Sequence, residues 1–237
     1  MDDLHPLLGP ELRVERAGEH IQGLRKHLEA WADAHTESFG FAEIEPGRVG
    51  PVQHRELPKR MVAEAAVFIG DALFNLRAAL DYLVYIIAGL CEGREVHGTQ
   101  FPIEDSMDMF DARITGKHPV TGKPVSQYLR GVPPVVVERI RQLQPCSGCL
   151  WTATLRDLSN PDKHRHLSAL RSQSWFKGTQ QRVGDTLNIE GHVEVEVSFG
   201  STGGETVDTL ELLHQAVGLL IQEFKPGFQT RGEEDVI

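Results

Sequence analysis

Six polar or ionisable residues stand inside the most apolar part of this 237-residue chain: Glu64, Asp71, Asn75, Arg77, Asp81 and Tyr82 all fall between Met61 and Leu90. A charge taken out of water without a partner is expensive, so each of these groups must find a counter-group or open onto solvent. At about 100° per helical residue, Glu64, Asp71, Asn75 and Tyr82 lie within about 40° of one another, while Arg77 and Asp81 share a different face. Two arrangements suit that pattern. In one, Arg77 pairs with Asp81 one turn on and Asn75 fastens a neighbouring loop. In the other, the helix floors a polar pocket where Arg77 neutralises a bound phosphate.

A second cluster, Asn160-Pro161-Asp162-Lys163-His164-Arg165-His166, sets ionisable groups around a proline turn. His164 titrates near neutral pH and can move a proton, and Lys163 and Arg165 can hold an anion. An active site drawn from the sequence would therefore take Arg77 and His164 as its catalytic pair, with Asn75, Lys163 and Arg165 binding ligand or phosphate. The plainer reading is a solvated turn with Asn160 as a helix cap. Cys146-Ser-Gly-Cys149 has the spacing of half a zinc site, but His164-x-His166 is tighter than the usual partner motif. No metal and no cofactor is expected. The surroundings also lack the βαβ pattern of a thioredoxin-like unit, which leaves two ordinary thiols. The sequence has no Gly-rich phosphate loop ending in Lys, no Gly-x-Ser-x-Gly elbow and no His-Glu-x-x-His. Gly200-Ser-Thr-Gly-Gly204 reads as a flexible turn.

The elements that must carry these residues are legible from periodicity. Val14, Ala17, Ile21, Leu24, Leu28, Trp31 and His35 form one stripe, predicting a helix near 11–37. From Pro58 to about Leu90 almost every position is apolar or small, which predicts a long helix buried on most sides, the spine of the fold. Within 135–158 two short helices are expected, Val135 to Leu143 and Leu150 to Leu158, and a last amphipathic helix over 206–224. Residues 92–135, rich in Gly, Pro, Asp and Lys, suggest a long, partly ordered excursion anchored by Phe101-Pro102-Ile103. Apolar residues alternate through Ile189, Val193, Val195, Val197 and Phe199, which predicts strands within 166–199, and 40–55 suits a second β segment. The expected class is α+β, mainly α: a helical bundle around a long buried helix with a small antiparallel β-sheet, in a single domain over 1–237.

Charge is unevenly spread. The net charge is −10, yet residues 111–182 hold twelve Lys/Arg against four Asp/Glu, a balance of +8 that leaves −18 elsewhere. That asymmetry argues against nucleic-acid binding over the whole surface and marks 111–182 as the place for RNA or a nucleotide, if either binds. Three cysteines cannot build a disulfide framework, nothing at the start reads as a signal peptide, and Tyr82 to Cys91 is too short an uninterrupted apolar run for a bilayer. A cytoplasmic chain with no membrane partner is expected.

The segment Gly70-Asp71-Ala72-Leu73-Phe74-Asn75-Leu76-Arg77-Ala78-Ala79-Leu80-Asp81-Tyr82-Leu83 resembles one in a family of uncharacterised bacterial proteins common in actinobacteria. The likeness continues through Thr99-Gln100-Phe101-Pro102-Ile103, Leu143-Gln144-Pro145 and Leu158-Ser159-Asn160-Pro161-Asp162-Lys163-His164-Arg165. The family's Arg-(four residues)-His spacing in turn is similar to that of HEPN helical domains. Many of these are metal-independent ribonucleases, often dimeric, in which Arg and His act on the scissile phosphate. Arg77 matches that Arg, but Tyr82 stands at the His position and Phe74 at the other usual His. A tyrosine titrating at about 10 is a poor base at neutral pH. The sequence therefore favours a non-enzymatic interaction or regulatory protein, with a protein partner or a homodimer, over the HEPN-like ribonuclease or nucleotide-directed enzyme that would use Arg77 and His164.

Overall fold

The computed structural model describes the backbone at 5–35, 41–45, 48–51, 57–163, 170–183, 186–199 and 206–228, with side chains at 5–35, 57–160, 195 and 206–226. The first helix, α1 (Leu8–His35), begins three residues before the predicted start. Pro10 falls in its first turn, where backbone N–H groups have no intrahelical acceptor and a missing one costs nothing. The stripe read from sequence is the one buried: Ala17, Ile21, Leu24 and Leu28 are inside, with Val14 and Trp31 half-buried against them.

The long apolar helix, α2 (Lys59–Glu92), runs 34 residues. Pro58 precedes it with φ −54°, a value proline holds without strain, and Gly93 ends it at φ +67°, donating its N–H to the Gly89 carbonyl. That left-handed closure is one a side chain with a Cβ would resist. α2 packs along α1 and against α6 (Thr206–Phe224), which buries Leu210, Leu213, Val217, Leu220 and Ile221. α5 (Leu150–Lys163) closes the core with Leu155 and Leu158. Leu76, Leu80 and Leu83 are fully buried at the centre, where each truncation to Ala costs about 2–5 kcal/mol.

Residues 93–133 are better ordered than their composition suggests. Val96, Phe101, Ile103, Phe110 and Leu129 are all buried in them, and α3 (Met107–Thr115) is capped by Ser106, whose Oγ accepts from the Met109 N–H at 3.3 Å. The two short helices predicted within 135–158 are α4 (Pro134–Gln142) and α5, separated by a tight turn at 143–149. The α5 backbone continues through Pro161 to Lys163, so Ser159-Asn160-Pro161, read from sequence as a turn or as a cap starting one more helical turn, lies inside one continuous helix. Proline there forfeits one hydrogen bond in the last turn, where the helix is ending in any case.

Two expectations are corrected. The α+β class with a small sheet packed on the bundle gives way to a mainly helical fold. Of the residues whose side chains are described, 73% are helical, and no β-sheet is seen among them. The extended backbone that the sequence placed in one sheet forms two separate antiparallel ribbons. One is β1 (Phe41–Glu45) with β2 (Arg48–Pro51), the other β3 (Leu170–Val183) with β4 (Thr186–Phe199). Each strand takes its neighbour in sequence as partner, which a short turn makes entropically cheap, and the two ribbons do not join. Secondly, α2 is not buried on most sides. Val67 and Phe74 are each 57% exposed, Tyr82 is 45% exposed, and only 50% of its most apolar 18-residue window is inside. Among the described residues α2 alone has the length and composition to cross a membrane; here its other face is the core of the bundle.

Candidate functional site

Asn75 and Arg77 lie two residues apart on α2, about 200° around the helix axis, and so cannot address one ligand. Asn75, 6% exposed, faces α1. Its Nδ2 donates to the Asp71 carbonyl at 2.8 Å, and its Oδ1 accepts from Arg13 Nη1 at 3.2 Å. Arg77 faces the 99–104 segment. Its Nη2 donates to the Phe101 carbonyl at 2.5 Å and lies 3.1 Å from Asp81 Oδ1, while that same carboxylate oxygen accepts from the Phe101 N–H at 2.9 Å. Two side chains one turn apart thus satisfy both backbone groups of one residue, as a neighbouring strand would. The Phe101 ring is fully buried as the anchor. Arg77 Nε is buried without a hydrogen-bond partner. The guanidinium is therefore turned into protein rather than presented to a phosphate.

Of the other residues expected to form a site, His164 and Arg165 lie outside the described residues. Lys163 closes α5, and its side chain is likewise not described. A cavity of about 270 Å³ between α1 and α6, lined by Glu11, Glu15, Gln222 and Lys225 among others, includes none of Asn75, Arg77 or Asp81.

The basic stretch at 111–182 is largely neutralised where its side chains are described. Arg113 pairs with Glu104 at 2.7 Å, and Arg139 holds Glu223 through two bonds of 2.7 and 2.8 Å. Arg141 meets Asp111 at 2.7 Å and Glu138 at 3.2 Å, while Arg156 bridges Asp157 at 2.8 Å and Asp105 at 2.7 Å. Hydrogen bonding to Glu223 raises the pKa of Arg139, and hydrogen bonding to Asp157 does the same for Arg156. Three of the acceptors, Glu104, Asp105 and Glu223, come from outside 111–182, so a regional charge count overstates what a ligand would feel.

Two further features carry the architecture. Gln144 is fully buried. Its Nε2 donates to the Pro102 and Ile140 carbonyls, each at 2.9 Å, and its Oε1 accepts from the Glu104 N–H at 2.9 Å. The segments around Arg77, Phe101 and Gln144 are therefore the ones that stitch the 99–104 segment onto α2 and α4. The second is a polar seam between α1 and α2. His27 Nε2 lies 3.4 Å from Glu64 Oε2, His20 Nδ1 lies 3.8 Å from Asp71 Oδ2, and Arg13 stands over the Tyr82 ring at 5.5 Å besides bonding Asn75. Arg60 also bonds Glu64 at 2.8 Å, holding that carboxyl below its ordinary range. The α2 side of this seam was visible as one face in the sequence. The α1 side, Arg13, His20 and His27 at intervals of seven, carries the same signal and was missed.

Among the described residues no group of three or more His, Cys, Asp or Glu side chains is arranged to hold a metal ion. Cys91 and Cys146 are exposed, Cys149 is half-buried, and all three are free thiols. Compared with family models, with curated proteins and with solved structures, the chain matches none.

Proposed function

We propose that this chain is a non-enzymatic interaction protein whose α2 surface receives a second copy of itself. The observation that carries the reading is that the polar groups of α2 are spent inside the chain while large apolar ones stay exposed. Arg77 and Asp81 are used on the Phe101 backbone and Asn75 on α1. Val67 and Phe74, about 20° apart around the helix axis, remain in solvent, and so does part of Tyr82 beside the α1 seam. Exposed apolar side chains among polar ones, here with Asp71 between Val67 and Phe74, are the make-up of an interaction site. Its ends are oppositely charged. Lys59 and Arg60 are exposed at the start of α2, and Glu92 is exposed at its close. An antiparallel copy aligned about the helix midpoint sets Phe74 against Ala78, Val67 against Tyr85 and Arg60 against Glu92. Two-fold symmetry makes each of these contacts twice. A ribonuclease reading would need Arg77 to release Phe101 before it could clamp a phosphate, and no described group favours it.

Sedimentation or light scattering of the full chain tests this. Wild type should be dimeric at micromolar concentration. Phe74→Glu should be monomeric with its helical content intact, because Phe74 is exposed within one copy. Arg60→Glu should weaken the dimer, and adding Glu92→Arg should restore it. A monomeric wild type, or a Phe74→Glu variant that stays dimeric, would sink the proposal.

A further inference from the structure

The two cysteines at the α4–α5 junction sit in a turn whose geometry gives them a role that spacing alone does not. Gln144 C=O accepts from the Ser147 N–H at 2.9 Å and from the Cys149 N–H at 3.3 Å, and Pro145 C=O accepts from the Gly148 N–H at 2.9 Å. With Gly148 at φ +89°, this is the paired six-to-one and five-to-two closure that reverses a chain at a helix end. Cys146 and Cys149 flank the reversal three residues apart, and a disulfide between them asks for a Cα separation of about 4.4–6.8 Å. Cys149 is held from behind, since Thr152 Oγ1 donates to its carbonyl at 2.9 Å and to the Leu143 carbonyl at 2.7 Å. Cys146 is exposed on the short 3₁₀ turn Pro145–Ser147, where an attacking or attacked sulfur is reachable. Cys91, equally exposed, belongs to the far end of α2 and has no neighbouring thiol in sequence to close on.

We infer that Cys146 and Cys149 form a reversible dithiol–disulfide site that exchanges with low-molecular-weight disulfides. The exchange balances without any other reagent. One protein thiolate attacks a sulfur of the external disulfide and expels a thiolate, leaving a mixed disulfide on the turn. The second cysteine then attacks the protein-bound sulfur, forms the Cys146–Cys149 bond and expels the other small thiol. Two protein thiols are oxidised, one external disulfide is reduced to two thiols, and the protons pass from the protein thiols to the departing ones. This inference is independent of the self-association proposed above.

The test uses the full chain carrying Cys91→Ser, equilibrated with oxidised glutathione at near-neutral pH, quenched by alkylation and analysed by mass spectrometry. Cleavage after Arg141 and Arg156 places both cysteines in one peptide, 142–156. The expected result is that peptide lighter by two hydrogens, resistant to alkylation until reduced and free of glutathione. Cys146→Ser and Cys149→Ser, each lacking the closing thiol, should instead retain one glutathione. The inference is overturned if the two-cysteine protein stays fully alkylatable, carries glutathione to the same extent as the single variants, or links into covalent dimers.

Discussion

Replacing Arg77 by Ala removes one half of the clasp on Phe101 and leaves the other half facing a void. The Phe101 carbonyl loses its donor, and Asp81 loses the charge 3.1 Å from its carboxylate while still accepting from the Phe101 N–H. A hydrogen bond to a charged group is worth about 1.5–3 kcal/mol, and stranding one member of a buried pair costs about 3–5 kcal/mol. Arg77 and Asp81 are 14% and 29% exposed, so water relieves part of that penalty. The expected loss is about 2–3 kcal/mol, which at a urea m-value of about 2–3 kcal/mol/M moves the midpoint down by about 1 M. Circular dichroism at 222 nm through a urea titration measures it for Arg77→Ala, Asp81→Ala and the double variant. The double variant should cost less than the two single losses combined, with a coupling of about 1–2 kcal/mol. Native-state hydrogen exchange should show the Phe101 amide opening faster in each, ahead of the α2 core. If both single variants lie within about 0.5 kcal/mol of wild type, or if the losses are additive, Arg77 is not a structural clasp and the case against a phosphate-binding role for it collapses.

Gln144→Leu should be costly despite the apolar replacement, because the Pro102 carbonyl and Glu104 N–H keep no partner inside the protein. At about 1–3 kcal/mol for each stranded group, thermal or urea unfolding should show a loss of about 3 kcal/mol. Glu11 supplies a pH-dependent term. The Lys225 hydrogen bond at 2.6 Å holds its carboxyl below the ordinary value of 4.5, with a smaller contribution from Gln222. A folded pKa that is depressed gives stability that is complete above 4.5 and lost as pH falls through the folded value. The advantage of wild type over Glu11→Gln in the urea midpoint should therefore be constant at neutral pH and shrink progressively below 4.5.

The helices were legible because their signals are local. The α1 stripe at steps of three and four fixed its buried face, and the Pro58 to Gly93 span of apolar residues marked α2 within two residues at each end. Composition misled where the deciding partner is distant. An all-round apolar helix reads as buried, yet nothing local states which side goes uncovered, and Val67 and Phe74 face solvent. Alternation through Val193, Val195 and Val197 gives extended backbone, but period two does not say whether a strand joins a sheet or pairs only with its neighbour. Part of the 111–182 charge excess is offset from outside the stretch, by Glu104, Asp105 and Glu223, one of them on the last helix. For the candidate site, the Arg77–Asp81 pairing was readable from its spacing of four. Its target, the Phe101 backbone, was not, because no side-chain pattern announces a main-chain acceptor 24 residues away.

The seam of polar contacts between α1 and α2 also works as a registration key. Apolar stripes repeat, so two such helices could slide past each other by seven residues and still bury similar surfaces. Charges punctuate the stripes at places where sliding is penalised. Moved one heptad in one direction, His20 would face Ala78 and Glu64 would face Ala34; moved in the other, His27 would run off the start of α2 toward Leu57. One slip still sets His27 beside Asp71 and the other still sets His20 beside Glu64 and Arg13 beside Asp71, but only in the native register do His27, His20 and Arg13 stand beside Glu64, Asp71 and Asn75 together. The native alignment of the two longest helices is the one that completes this seam, and it sets the height along α2 at which Arg77 and Asp81 meet the Phe101 backbone.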